Sequence, residues 1–191
     1  MLLVLASGSP RRADLLRTAG LSFDVVPADV DEAVLPGEDA VAYVQRVAVA
    51  KCAVVAGRRP EAVVLAADTT VALDGEILGK PADAAEAVAM LSRLGGRTHA
   101  VHTAVVVAAG GRLDCEVVTT GVTFGDLTGP EIAAYVALGE SFDKAGGYGM
   151  QSAGAMLVDR IDGSPTNVIG LPLRQTLRLL AAAGVRFPDP G

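Results

Sequence analysis

The 191-residue chain sets 16 lysines and arginines against 22 aspartates and glutamates, for a net charge of −6, and 51% of it is hydrophobic. That length suffices to bury a sizeable core in one domain over residues 1–191. The acidity excludes a general attraction to nucleic acid or anionic membrane, so any polyanion must be held by a local cluster of cations.

The chain opens with a short branched run, Leu2-Leu3-Val4-Leu5-Ala6, that leads through Ser7-Gly8-Ser9-Pro10-Arg11-Arg12 into apolar residues at helical spacing. This reads as strand, tight turn and helix, with Ser9 suited to the N-cap and Pro10 to the first helical position. Free N–H groups at a helix start, two hydroxyls and two guanidiniums suit a phosphate chain, although a capped helix with two solvated arginines is the plainer alternative. The run has no basic leader and is too short for a signal peptide or a membrane span. Cys52 and Cys115 lack zinc-ligand spacing and form no disulfide framework, which fits a reducing cytoplasm.

Residues 21–26 alternate like a half-buried strand, followed by an acidic loop with Asp29, Asp31 and Glu32 that by itself reads as a solvated turn. Residues 40–56 form an alanine- and valine-rich helix; Lys51 lies in its C-terminal half, where a lysine is usually exposed and favourable to the helix dipole. Val63-Val64-Leu65-Ala66-Ala67 has the unbroken apolar pattern of a strand covered on both faces, ending at Asp68-Thr69-Thr70. A carboxylate at the end of a central strand sits where open α/β sheets bind ligands. Asp74-Gly75 then marks a hairpin, and Gly79-Lys80-Pro81 a loop that returns a lysine towards its start.

Residues 83–94 make an amphipathic helix with Ala84, Ala87, Val88, Met90 and Leu91 as its apolar stripe. Two long strands, 98–109 and 112–123, meet at Gly110-Gly111; His99 and His102 lie on opposite faces of the first and cannot share a metal. Thr128 and Glu131 start a helix over 130–138. Residues 143–154 have four glycines and no period, yet they include Lys144, Tyr148, Met150 and Gln151, which favours a binding loop over a linker. Residues 155–161 read as a last interior strand, 162–167 as a turn and 172–183 as a structural helix.

Taken in this order, Ser7–Arg12, Ala67-Asp68-Thr69, Gly79-Lys80-Pro81, residues 143–151 and residues 167–172 closely resemble the Maf family of nucleoside triphosphate pyrophosphatases. The resemblance implies an α/β fold, a mixed, elongated β-sheet flanked by helices with a central cleft, like that of inosine triphosphate pyrophosphatases. It implies hydrolysis of a nucleotide to its monophosphate and pyrophosphate with a divalent cation, magnesium or manganese. Asp-Thr after the central strand and the Tyr-Gly-x-Gln loop look like the branch acting on dTTP and UTP rather than on 7-methyl-GTP. Two departures are Ser152, where glycine is usual, and Cys52, where alanine is usual.

The resemblance assigns Glu32, Lys51, Asp68 and Lys80 to catalysis, with Glu32 and Asp68 as metal ligands and Asp68 as base. It assigns Ser7, Arg11, Arg12, Thr69 and Gln151 to substrate binding, with Arg11, Thr69 and Gln151 choosing the base. Cleavage between the α- and β-phosphates needs such a convergence of carboxylates and cations. The expected partner is a nucleoside triphosphate, with no nucleic acid and no membrane, and a homodimer is allowed. Rival readings are a non-catalytic nucleotide-binding regulator of cell division and a sugar-nucleotide transferase, the latter needing an acceptor-binding half for which the chain has little room.

Overall fold

The structure, a computed structural model, describes residues 2–186. Its elements are β1 (Leu3–Leu5), α1 (Pro10–Thr18), β2 (Asp24–Val25), α2 (Ala40–Arg58), β3 (Val63–Leu73), β4 (Glu76–Leu78), α3 (Ala84–Leu94), β5 (Thr98–Ala109), β6 (Arg112–Phe124), α4 (Gly129–Ala137), β7 (Val158–Asp162), α5 (Pro165–Ile169) and α6 (Leu173–Ala182). One mixed sheet runs in the order β2-β1-β3-β5-β6-β7, with β4 added to β3. This is the expected mixed α/β architecture with helices against the sheet.

The sheet explains where the cleft lies. On one edge β3 pairs with β1 through Val63, Val64 and Leu65, and with β4 through Val71, Ala72 and Leu73. Between them the strand is held only on its other side, by β5, which pairs continuously from Val64 to Ala72. The gap exists because β1 stops at Leu5, where the chain turns away at Ser7-Gly8-Ser9. Asp68 and Thr69 therefore sit in the middle of an eleven-residue strand, not at its end as the sequence suggested. Three polar residues after an apolar run look like a turn, but β5 completes their backbone hydrogen bonds.

Side-chain alternation sorts the core around this gap. Leu65 and Ala67 face α1 and α6, whereas Val64 and Ala66 face α2, and a third apolar cluster joins the far end of β3 to α3 and α4. The buried residues of α2, from Ala40 through Val44, Val47, Ala48, Lys51, Cys52 and Val55, lie at helical spacing against β3 and β5. Although α2 is long and apolar enough to cross a membrane, it is packed on the sheet and brings a buried lysine to it.

Four other sequence expectations change. The 21–26 strand shrinks to two exposed residues on the sheet edge. Residues 155–157 form a 3₁₀ turn, and β7 pairs only with β6, so it is an edge strand rather than an interior one. The turn at 162–167 contains α5, capped by the Ser164 side chain and begun by Pro165. On α3, Ala84 and Val88 face outward, and the stripe is Ala87, Met90, Leu91 and Leu94.

Candidate active site

A cleft of about 630 Å³ opens at the gap in β3. It is lined by all nine residues singled out from the sequence: Ser7, Arg11, Arg12, Glu32, Lys51, Asp68, Thr69, Lys80 and Gln151. The first wall is the Ser7–Arg12 turn. Pro10 begins α1 and Ser9 occupies the N-cap with an extended backbone, but its hydroxyl caps nothing and the first turn holds no acidic residue. The helix start thus keeps its positive end facing the cleft.

Asp68 and Thr69, adjacent in sequence, point to opposite faces of β3, and the open edge lets both reach the cleft. On one face Asp68 Oδ1 lies 2.8 Å from Lys51 Nζ, and Glu32 Oε1 lies 2.8 Å from the same nitrogen. Lys51, which helix position alone marked as an exposed residue, is buried. Burial pushes the Asp68 carboxyl above its ordinary value, against the pull of Lys51 and Arg12.

On the other face Arg12 is buried with three oxygen partners: Gly170 O at 2.8 Å from Nε, Ser7 Oγ at 3.0 Å and Thr69 Oγ1 at 3.0 Å. All three are neutral. Burial lowers the pKa of this guanidinium, but Asp68 and Glu32 pull it up, and a guanidinium stays charged. A buried cation with only neutral partners is short of one anion, and the cleft is where that anion can come from.

A hydrogen-bonded chain behind Arg12 had no signal in the sequence. Thr69 Oγ1 meets Thr103 Oγ1 at 2.9 Å, Thr103 donates to Asn167 O at 3.1 Å, and the Asn167 amide donates to Val101 O and Thr120 Oγ1. The members come from β3, β5, β6 and α5, so only the fold brings them together. The Thr69 hydroxyl is therefore directed to Arg12 and Thr103, and Gln151 is left exposed at the opposite wall.

That opposite wall is the glycine-rich segment. Gly146 has a φ of 73° and packs so closely on Val71 that a Cβ would fall 2.9 Å from Val71 Cγ2. Its N–H donates to Gly79 O at 3.0 Å, joining the segment to the loop that carries Lys80. Tyr148 anchors the wall from behind, its hydroxyl 2.7 Å from His99 Nε2 and its ring edge-on to Phe124. Ser152, the residue that replaces a glycine, bonds Glu140 and donates to Gly149 O at 3.1 Å. Across the mouth, Arg11 donates to Asp143 Oδ2 at 2.8 Å, and Asp143 also pairs with Lys144.

Among the described residues no three carboxylate, histidine or cysteine side chains converge as a metal cage. The donor set is nevertheless of the right kind for a hard divalent cation. Glu32 and Asp68 offer oxygens to one positive point, now the Lys51 ammonium, and magnesium at phosphate sites commonly takes only one or two carboxylates.

Residues 2–183 match the family model described as Maf-like protein. The chain is 54% identical over 187 residues to a dTTP/UTP pyrophosphatase of Myxococcus xanthus, covering 98% of this chain and 95% of that one. It is 49% identical over 191 residues to a dTTP/UTP pyrophosphatase of Chromobacterium violaceum, covering 96% of each. Among solved structures, the Staphylococcus aureus Ham1 protein aligns with a TM-score of 0.48 at 18% identity, over 66% of this chain and 73% of that one.

Proposed function

The chain belongs to the Maf family, and from that premise we propose that it hydrolyses dTTP and UTP, and modified pyrimidine nucleotides with the same base edge, to the monophosphate and pyrophosphate. One observation carries this reading: the gap in β3 joins a buried guanidinium bonded only to neutral oxygens with a buried carboxylate, Asp68. The first calls for a phosphate chain and the second for a proton.

Ser7, Arg12, Lys51 and Lys80 hold the triphosphate, whose charge replaces the anion that Arg12 lacks. Asp68 accepts the proton of a water that attacks the α-phosphorus. The new bond joins water oxygen to that phosphorus, the bond from phosphorus to the α,β-bridging oxygen breaks, and the bridging oxygen leaves with the pyrophosphate. A carboxyl raised above its ordinary value by burial is a better proton acceptor than an exposed one. Glu32 and Asp68 would hold magnesium or manganese, which when bound supplies positive charge to the phosphate oxygens. Arg11, Thr69 and Gln151 read the base, Thr69 by fixing Arg12 and the floor of the cleft. We place the reaction in the cytoplasm, where thiols such as Cys52 and Cys115, both free here, remain reduced.

The test is pyrophosphate release across a panel of nucleoside triphosphates with magnesium, repeated in ¹⁸O-labelled water. Monophosphate and pyrophosphate should appear in equal amounts, with the label in the monophosphate and no orthophosphate. Label confined to the pyrophosphate would move the attack to the β-phosphorus and sink the proposed geometry.

A further inference from the structure

Glu32 is the weakly held member of the cluster. It lies in the stretch 26–39, which contains no helix or strand, and its side chain is 48% exposed. That stretch also carries Asp29 and Asp31, and Glu32 and Asp68 repel each other. The Lys51 ammonium attracts the Glu32 carboxylate, but in a loop so charged that carboxylate stays beside a second one only if something also holds the backbone.

Three side chains do. Tyr43, on the second turn of α2, donates its hydroxyl to the Glu32 carbonyl at 3.0 Å. Arg46, one turn further on, donates to Ala33 O at 2.8 Å and clamps Glu38 with two bonds of 2.6 and 2.8 Å. Glu38 in turn accepts the Leu35 N–H at 3.0 Å, closing the loop on itself. The Arg46 guanidinium also lies 5.7 Å over the Tyr43 ring. The same helix carries Lys51, so α2 holds both the backbone of Glu32 and the cation that its carboxylate meets.

We propose that Tyr43, Arg46 and Glu38 form a clasp on α2 that positions the Glu32 carboxylate beside Asp68, making them positioning residues for the cation–triphosphate complex. The proposal rests on the pyrophosphatase reading above and extends it to three residues to which that reading gives no role, Tyr43 at the cleft wall and Arg46 and Glu38 behind it. Side chains that orient metal ligands act by limiting where the ligand can go, and their loss typically weakens metal binding about 10–100-fold. A phenol ionises only at about pH 10, so the Tyr43 hydroxyl stays a donor throughout the working range. Arg46 holds the Glu38 carboxyl down to about 2, so the clamp stays charged as well.

The experiment uses the full chain and three single variants, Glu38→Gln, Arg46→Gln and Tyr43→Phe. Manganese binding in the presence of an α,β-imido analogue of dTTP is read by electron paramagnetic resonance. Amide hydrogen exchange over residues 31–35 is read without ligand. Glu38→Gln and Arg46→Gln should weaken manganese binding about tenfold or more and speed exchange in 31–35, with β3 and β5 as protected as in the parent. Tyr43→Phe, which removes one hydrogen bond and no charge, should weaken binding about threefold. Added to Glu32→Gln, Glu38→Gln should cause no further loss, because the group it positions is gone. Unaltered binding, unaltered exchange, or full additivity with Glu32→Gln would each overturn the clasp. Failure of the parent to release pyrophosphate from any nucleotide would instead overturn the reading on which it rests.

Discussion

Lys51 Nζ and Asp68 Oδ1 lie 2.8 Å apart with both side chains about nine-tenths buried, so a charge on either depends on the other. Their removal should have unequal consequences. Asp68→Asn leaves Lys51 with Glu32 at 2.8 Å and preserves shape, so the fold should persist while the proton acceptor and a metal ligand are lost. Turnover of dTTP should fall by at least about 10²–10⁴-fold, the range for a general base alone. A purified variant working at near the parent rate would show that Asp68 is not the base.

Lys51→Met leaves the buried Asp68 carboxylate without its ammonium partner, whereas the half-exposed Glu32 can turn to solvent. Breaking a buried pair in this way costs roughly 3–5 kcal/mol, and urea unfolding at pH 7 should show a loss of that order. Asp68→Asn should lose much less, and the contrast between the two is the measurement. Equal losses would mean that Lys51 contributes packing rather than charge.

How much of this was legible in the sequence depended on how local the signal was. The Ser7–Arg12 turn could be read because proline after a serine marks a helix start, and α1 begins at Pro10. The Asp74-Gly75 hairpin was equally local: Asp74 and Gly75 have φ of 53° and 84°, as the paired turn residues require. Lys51 was opaque, because a lysine late in a helix looks the same whether it meets solvent or the strand that follows. The middle of β3 was opaque for a related reason: Asp68 and Thr69 stay in a strand only because β5 pairs with them. Met156, in a run that reads as strand, is 66% exposed on a 3₁₀ turn, since the Gly149–Gly154 contact folds that stretch back.

Asp143 bridges Arg11 and Lys144 at the mouth of the cleft with its side chain 63% exposed, so it adds little to stability, at most about 1 kcal/mol. Its effect should appear in selectivity. If it acted only through charge, Asp143→Asn would lower KM for every triphosphate alike, because a negative group beside a polyanion site has been removed. If it holds Arg11 against the glycine-rich wall, the variant should narrow the preference for dTTP over CTP by about threefold or more, the low end of what one hydrogen bond contributes. Values of kcat/KM on both nucleotides separate the two outcomes, and we expect the second.

His99, buried behind Tyr148, is pulled down to about 4 by desolvation. Its folded pKa lies below the ordinary 6.5, so the unfolded chain binds the extra proton first. The contribution of His99 is therefore complete above pH 6.5 and is lost as the pH falls towards 4. At about 1.4 kcal/mol per pH unit, the loss between pH 6.5 and 5 is about 2 kcal/mol. Urea unfolding of the parent and of His99→Phe at pH 7, 6 and 5 isolates this group, because other titrations cancel in the difference. The stability gap between the two proteins should shift against the parent as the pH drops, and a constant gap would show that His99 keeps its ordinary pKa.

Base choice is the sharpest test of the opposite wall. Thymine and uracil present one N–H donor at N3 between two carbonyl acceptors, and a glutamine amide matches half of that edge. Its oxygen accepts from N3–H while its NH₂ donates to a neighbouring carbonyl, whereas cytosine presents an acceptor at N3 beside a donor amine. The amide must not turn over, and Gly149 bears on this. A Cβ at that position would lie 2.5 Å from Lys144 Cε and 3.1 Å from Gln151 Nε2, so the bare glycine lets Lys144 and Gln151 pack together. We expect dTTP and UTP to exceed CTP and GTP in kcat/KM by at least about tenfold, as polar sites reject analogues that leave their groups unpaired. Gln151→Ala should narrow the gap chiefly by hurting the good substrates. Gly149→Ala should do the same by displacing the Gln151 amide without removing it. A panel won by CTP or 7-methyl-GTP would overturn the choice of base and leave the pyrophosphatase reading standing.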